Sequence, residues 1–117
     1  MGAERCRLCH RSIYDRWTAT PHRLATAGLP PENETPSCLT CHATGPAALP
    51  GVQCESCHGA GGNYWPADVM IDPGKAREAG LVTPDEAICG RCHGNGPPGH
   101  ATDFEMPRGA ERRRFIH

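Results

Sequence analysis

The chain has 117 residues, enough for one domain, and we expect a single domain over residues 1–117. Only 38% of its residues are hydrophobic and 5% are aromatic, and it carries 12 Pro and 14 Gly, so it lacks the apolar side chains from which a domain of this size normally builds its core. Its formal net charge of −1 excludes the strongly basic field of a nucleic-acid-binding protein, and no segment reaches the roughly 20 apolar residues that a membrane-spanning helix needs.

The first half of the chain predicts short helices and turns. Residues 13–27 favour a helix, but Pro21 interrupts it because proline removes a backbone donor from the helix interior. Residues 35–50 contain many turn-forming residues and predict an irregular connection. No segment shows the alternation of polar and apolar residues that is typical of a strand.

The second half contains two clear signals for the start of a helix. Asp72 and Pro73 match an N-cap and a first helical residue, and Gly80 matches the end of that helix. Residues 83–86, Thr-Pro-Asp-Glu, resemble a capping box in which the threonine is the N-cap of a further helix.

The remaining segments complete the prediction of the fold class. Residues 94–99 predict a loop, and residues 110–116 predict one or two final helical turns. The expected fold is therefore mostly α with extensive coil and little or no sheet.

All eight cysteines fall into four pairs with the same spacing, and a histidine directly follows each pair. The four CxxCH motifs are Cys6, Cys9 and His10; Cys38, Cys41 and His42; Cys54, Cys57 and His58; and Cys89, Cys92 and His93. Two cysteines at this spacing can bind the two vinyl groups of one haem, and the adjacent histidine can bind its iron. The motifs therefore predict four covalently attached haem c groups, with the histidine of each motif as the proximal iron ligand.

Three other uses of paired cysteines explain the pattern less well. Zinc sites also combine CxxC pairs, but they do not need a histidine directly after the second cysteine. Disulfides explain an even number of cysteines in a secreted protein, but not the histidine that follows each pair. A redox-active dithiol of the thioredoxin type would need one motif in a βαβ context, whereas this chain has four motifs and no such context.

Four haems would also account for the scarcity of apolar side chains. A folded chain of this length has a radius of gyration of roughly 13 Å, so four porphyrins must lie nearly in contact. Their apolar faces would replace the aliphatic core, and we expect the protein without haem to be largely unfolded because cofactor binding and folding are coupled. The eleven Arg would balance the propionates that the haems bring.

Three histidines remain as candidates for the distal faces of the irons: His22, His100 and His117. A lone histidine is more often a surface or hydrogen-bonded residue, but in a chain whose interior holds haems we expect all three to be distal ligands. His22 lies on a predicted helix behind Trp17, His100 lies in a loop of Gly and Pro, and His117 is the last residue. Three distal histidines serve three irons, so the fourth iron has no histidine of its own within this sequence.

Several alternatives remain for the fourth iron. The thioether of Met70, Met106 or Met1 would raise its potential if it bound there. A neighbouring chain could donate a ligand, or the iron could stay five-coordinate with an open site for water or a small molecule. Tyr64 follows the third motif and could reach a haem, but packing against Trp65 is its more ordinary use.

Longer blocks around the motifs are also distinctive. Tyr14, Trp17, Thr20 and His22 follow the first motif. The other blocks are CLTCHATG (38–45), GVQCESCHGAGGNYW (51–65), VMIDPGKAREAGLVTPDEAICGRCH (69–93) and DFEMPRGAERRRFIH (103–117). Over nearly the whole chain, these blocks resemble the cytochrome c554 family of multihaem c-type cytochromes.

The resemblance implies a compact tetrahaem electron-transfer protein with stacked and perpendicular haem pairs. By analogy with the family, His22 is a distal ligand of the third-motif haem. The founding member has one five-coordinate haem, at the motif that corresponds to the second motif of this chain. Many relatives carry a histidine six residues after His58, where this chain has Tyr64, and this chain has no histidine between its third and fourth motifs.

These features predict an electron carrier outside the cytoplasm, periplasmic or extracellular, from which the signal peptide has been removed. We expect redox proteins as its donor and acceptor, no organic substrate and no enzymatic activity. Two alternatives remain. One is a reductase of a small nitrogen oxide or peroxide at a five-coordinate haem, and the other is a subunit of an extracellular haem filament in which exposed haem edges meet in head-to-tail series.

Overall fold

The computed structural model describes residues 1–94, 96–97, 100 and 111. In that part of the chain the protein consists of short helices and one small antiparallel sheet. The α-helices are α1 (Ala3–Arg7), α2 (Arg11–Thr18), α3 (Pro36–His42), α4 (Cys54–His58), α5 (Ala67–Met70), α6 (Pro73–Glu78) and α7 (Glu86–Gly90). The 3-10 helices are Pro21–Leu24, Pro31–Asn33 and Gly61–Asn63, and the strands are β1 (Ala43–Thr44) and β2 (Leu49–Pro50). The prediction of a mostly helical chain with little sheet is confirmed.

Some predicted features lie outside the described residues. These are His117 and Met106, most of the loop at 94–99 and the helical turns at 110–116, of which the structure describes only 94, 96, 97 and 111.

The predicted interruption before Pro21 is confirmed. α2 ends at Thr18, and Pro21 begins a separate 3-10 helix. Trp17 is buried, its ring lies 5.5 Å from the ring of Tyr14, and its indole Nε1 donates a hydrogen bond to the carbonyl of Val52 (2.9 Å). This bond ties α2 to the loop that precedes the third motif.

Residues 35–50 are more regular than the sequence predicted. The hydroxyl of Thr35 accepts a hydrogen bond from the amide of Cys38 (3.4 Å) and caps α3. After α3, Thr44 pairs with Leu49 across the two strands. Each strand has only two residues, which is too short for the alternation of polar and apolar residues by which a strand is predicted.

The predicted start and end of α6 are confirmed. The carboxylate of Asp72 accepts hydrogen bonds from the amides of Gly74 (2.9 Å) and Lys75 (3.1 Å). Gly80 follows the last turn with a φ of +107°, which glycine adopts without steric cost.

The prediction for α7 was wrong at its N-cap. The cap is Asp85 and not Thr83, so the helix starts two residues later than the capping box indicated. The carboxylate of Asp85 accepts a hydrogen bond from the amide of Ile88 (3.0 Å). The carboxylate of Asp85 is a charged acceptor for an amide that has no partner within the helix, and this favours Asp85 over Thr83 as the N-cap.

The side-chain core is very small. Among the described residues, the buried apolar side chains are Ala3, Trp17, Ala43, Tyr64 and Ala76, and no large side chain is completely buried. Large apolar side chains instead lie at the surface, with Leu8 73% and Ile71 80% exposed. The radius of gyration is 14.5 Å, above the roughly 13 Å of a compact chain of this length. The described residues therefore bury little apolar side-chain area of their own.

Candidate haem centres

Each CxxCH motif forms a helical turn. The second motif ends α3 and the third motif is α4. In the first and fourth motifs, the amide of the histidine donates a hydrogen bond to the carbonyl of the first cysteine, at 2.9 Å and 3.0 Å. Residues three apart lie on one face of a helical turn, so the two cysteines of each motif can reach one ligand.

All eight cysteines are free thiols, so the structure keeps them available for thioether bonds. Burial raises the pKa of Cys57, and the neighbouring Cys89 raises it further. Burial also raises the pKa of Cys92 to about 12, together with a hydrogen bond to Cys41. These thiols are therefore neutral near pH 7, as suits groups that face an apolar interior.

Thiols of different motifs lie close enough to influence one another. Cys54 lowers the pKa of Cys6 and Cys6 raises that of Cys54, which places the first motif beside the third. Cys41 raises the pKa of Cys92 and Cys89 raises that of Cys57, which places the fourth motif beside both the second and the third. Groups attached to the two members of each pair would be neighbours.

Glu55, inside the third motif, holds the first and third motifs together. Its side chain is 10% exposed, and it accepts hydrogen bonds from the amides of Gly2 (3.0 Å) and Gly61 (2.7 Å) and from the amine of Met1 (2.7 Å). Burial acts to raise the pKa of this carboxyl, but the hydrogen bonds outweigh burial and the net pKa is lowered. Nearby, the amide of Ala3 donates to the Oε1 of Gln53 (2.7 Å).

Two motif histidines are oriented by backbone carbonyls. The Nδ1 of His42 lies 2.8 Å from the carbonyl of Ala25, and the Nδ1 of His58 lies 3.1 Å from the carbonyl of Val82. A carbonyl only accepts, so Nδ1 must carry the proton and Nε2 keeps its lone pair. This is the arrangement in which a histidine binds a metal through Nε2.

The segment after α6 is fixed to the third motif by a second bond. The amide of Val82 donates to the carbonyl of His58 (2.9 Å), so the two residues are joined by both backbone and ring. Tyr64 stabilises the end of α4. Its ring is buried, and its hydroxyl donates a hydrogen bond to the carbonyl of Gly59 (2.8 Å). Burial raises the pKa of Tyr64 to about 12, so this hydroxyl is a stable donor.

Trp65, next to Tyr64, is a surface residue. It is 44% exposed, and the guanidinium of Arg5 lies 5.4 Å from the centre of its ring. The neighbouring residues therefore differ in use: Tyr64 anchors the turn after the third motif, and Trp65 contacts α1.

His22 lies against the histidine of the fourth motif. The ring centres of His22 and His93 are 6.0 Å apart, with 65° between the ring planes. Burial lowers the pKa of His22, and His93 lowers it further, while burial lowers the pKa of His93. Both rings therefore favour the neutral form, which is the form that binds a metal. The resemblance had assigned His22 to the third-motif haem, whereas the structure places it beside the fourth motif.

His100 lies against the histidine of the second motif. The ring centres of His42 and His100 are 6.0 Å apart, and the ring planes are nearly perpendicular at 83°. Of the three predicted distal histidines, the structure thus places two beside motif histidines, and the third, His117, lies outside the described residues.

A family model described as "Cytochrome c554 and c-prime" matches residues 5–59, slightly less than half of the chain. The match includes the first three motifs and His22. This part of the chain is similar to the cytochrome c554 family. No curated protein and no solved structure shows significant similarity to the chain.

The cytochrome c family implies covalently bound haem c, a role in electron transfer and redox proteins as partners. The residues present agree with haem c: none of the eight cysteines forms a disulfide, and the rings of His42 and His58 each bond a backbone carbonyl through Nδ1, the nitrogen that a metal bound at Nε2 does not use. Within the described part of the chain, none of the helices has the length and hydrophobicity that a membrane crossing requires. The same residues include no cluster of three or more His, Cys, Asp or Glu side chains that would hold a bare metal ion.

Sequence reasoning missed the residues that position the CxxCH motifs. Thr44 is buried, and its hydroxyl bonds to the carbonyl of Gly51 (2.8 Å), the amide of Gln53 (2.7 Å) and the hydroxyl of Ser56 (2.8 Å). These bonds fix the approach to α4. The signal that pointed to Thr44 was its place in the block 38–45, and that block says nothing of its partners.

Proposed function

We propose that this protein is a tetrahaem c-type cytochrome that transfers electrons between redox proteins outside the cytoplasm. Each motif would hold one haem c through its two cysteines, with the motif histidine as proximal ligand and with His22, His100 and His117 as distal ligands. The proposal includes the fourth motif, which lies beyond the residues that the family model matches.

One observation carries this proposal: four CxxCH turns lie close together in a chain whose described residues bury few apolar side chains. Cys6 lies near Cys54, Cys41 lies near Cys92, and Cys57 lies near Cys89. Four groups attached at these points would be close neighbours in a chain with a radius of gyration of 14.5 Å. Close neighbours are what electron transfer along a series of haems needs.

The chain's own residues hold and orient the cofactors. When bound, haem iron supplies reversible one-electron chemistry. The carbonyls of Ala25 and Val82 hold the rings of His42 and His58, which would orient Nε2 of each ring towards a bound iron. Burial keeps His22 neutral and so available as a ligand.

The experiment is a haem count on the protein matured in a bacterial periplasm. We expect intact mass and the pyridine haemochrome spectrum to give four haems per chain, and we expect reversible reduction of all four by a redox mediator. The double variant Cys89→Ala/Cys92→Ala should retain three haems, while Thr40→Ala, an exposed change inside the second motif, should retain four.

Other results would redirect the proposal. Fewer than four haems in the wild-type protein would contradict it. Multiple turnovers of nitrite, nitric oxide or peroxide would favour the reductase alternative, and filaments in electron micrographs of the purified protein would favour the filament alternative.

A further inference from the structure

We infer that His100 is the sixth ligand of the second-motif iron, so that this haem is bis-histidine and not five-coordinate. The inference rests on the proposed function, because it requires a haem at Cys38 and Cys41. It departs from the expectation that the family resemblance gave for this motif.

One nitrogen of the His42 ring is already hydrogen-bonded to the backbone. Its Nδ1 donates to the carbonyl of Ala25 (2.8 Å), and the hydroxyl of Thr26 donates to the carbonyl of His42. These bonds come from the segment after the 3-10 helix of His22 and fix both the ring and the backbone of His42. The nitrogen left for the iron is Nε2.

The separation of the two rings matches an iron between them. A metal–imidazole bond is roughly 2 Å long and the ring nitrogen lies about 1 Å from the ring centre, so two imidazoles on opposite faces of one iron have centres about 6 Å apart. The rings of His42 and His100 are separated by 6.0 Å. Perpendicular ring planes are compatible with this, because each ring can rotate about its own bond to the metal.

The same separation occurs independently elsewhere. His22 and His93 also have ring centres 6.0 Å apart, at a different angle of 65°. In both pairs one member ends a CxxCH motif and the other comes from a distant part of the chain. An ordinary edge-to-face contact between rings allows the ring centres to lie anywhere from 4.5 to 7 Å apart. These two pairs instead share one ring-centre distance, although the angle between the ring planes differs.

Contacts with Pro97 and Gly96 place His100. Its amide donates to the carbonyl of Pro97 (3.0 Å), and a Cβ added to Gly96 would lie 2.5 Å from the Cβ of His100. Real Cβ atoms do not approach so closely, so the absence of a side chain at Gly96 is what allows His100 to lie there.

The inference changes which motif is expected to hold the iron without a distal histidine. The 117 residues contain seven histidines, of which four belong to motifs. With His22 at the fourth motif and His100 at the second, His117 is the remaining histidine for the first and third motifs together. Within this sequence, the unmatched iron therefore belongs to the first or the third motif.

The test is His100→Ala in the protein matured with its full haem content. Electron paramagnetic resonance of the ferric protein should show one more high-spin haem in four than the wild type, and carbon monoxide should bind one more haem after reduction. Added imidazole should return that haem to the low-spin state. Glu34→Ala, an exposed change that precedes the same motif, should leave the spectrum as in the wild type.

Two further variants place the effect. Gly96→Ala keeps the imidazole but pushes it away, so it should produce part of the same high-spin signal. In the background Cys38→Ala/Cys41→Ala, which lacks the second haem, His100→Ala should add no high-spin signal.

The outcomes separate this inference from the proposed function. An unchanged spin state in His100→Ala with four haems bound would mean that the two rings only touch, and would overturn the inference alone. A new high-spin signal that persists without the second haem would assign His100 elsewhere and overturn it too. A wild-type protein with fewer than four haems would instead contradict the proposed function.

Discussion

At the scale of single residues, polar groups around the third motif set the local geometry. Glu55 lies at an x position of CxxCH, where the motif itself places no demand on the side chain. The structure nevertheless gives its carboxylate two backbone amides as partners, from Gly2 and Gly61. The residue between the two cysteines of this motif thus joins α1 to α4.

We expect Glu55→Gln to lower the free energy of unfolding at pH 7 by about 1–3 kcal/mol, because a charged acceptor of several hydrogen bonds becomes a neutral one. The carboxyl has a pKa below its ordinary 4.5 in the folded protein. Its contribution to stability is therefore present above pH 4.5 and is lost as the pH falls through the folded pKa. Urea unfolding of the holoprotein at pH 7, 5 and 3 should show the gap between wild type and variant closing at the lowest pH.

The control for this change is Glu32→Gln, an exposed substitution that should leave the unfolding midpoint within about 0.5 kcal/mol of wild type. A gap between Glu55→Gln and wild type that widens towards pH 3 would contradict the expected sign.

At the scale of elements, α4 and the segment after α6 meet through a glycine. Gly59 ends α4 with a φ of +81°, and a Cβ there would lie 2.6 Å from the carbonyl oxygen of Gly80. The approach brings residues 80–82 close enough for Val82 to bond both the carbonyl and the ring of His58. The orientation of a motif histidine therefore depends on a contact between two elements.

We expect Gly59→Ala to lower the free energy of unfolding by about 1–3 kcal/mol, because alanine is strained at this φ and its Cβ meets backbone. The matched control is Gly62→Ala, where φ is not in the left-handed region and no atom lies within 4 Å of the added Cβ. That change should be neutral or stabilising by up to about 1 kcal/mol, since it reduces the entropy of the unfolded chain. Equal effects of the two substitutions on the urea midpoint would show that the close approach does not matter.

At the scale of the whole molecule, the described chain has five buried apolar residues, three of which are alanines. A domain usually owes its stability to buried apolar area, which here is far too small to offset the conformational entropy of folding. Covalently attached haems would supply that area.

We therefore expect the chain produced without haem attachment to be unfolded. Its far-ultraviolet circular dichroism should lack the helical minimum at 222 nm that is characteristic of α-helices, and small-angle scattering should give a radius of gyration well above 14.5 Å. The haem-loaded protein from the same sequence is the control. A cooperative unfolding transition in the haem-free chain would contradict this expectation.

Much of the local structure was predictable because its causes are local. The helix after Asp72 starts where a carboxylate can bond the next free amides, and Pro21 ends a helix because it has no amide hydrogen. The N-cap at Asp85 was missed because Thr83 and Asp85, two positions apart, both favour a cap, and the sequence pattern does not rank them. β1 and β2 were missed because a strand of two residues is too short to show the polar and apolar alternation of a strand.

The sequence by itself determined the predicted cofactor chemistry, since two cysteines and a histidine at CxxCH spacing lie within one helical turn and need no distant partner. Only the tertiary structure decided which motifs adjoin, and that His22 faces His93 while His100 faces His42. These contacts join residues 71 and 58 positions apart, and histidine has the same side chain whichever iron it serves. The roles of the carbonyls of Ala25 and Val82 could not be predicted from the sequence either. Every residue carries a carbonyl, and only the fold brings these two to the rings of His42 and His58.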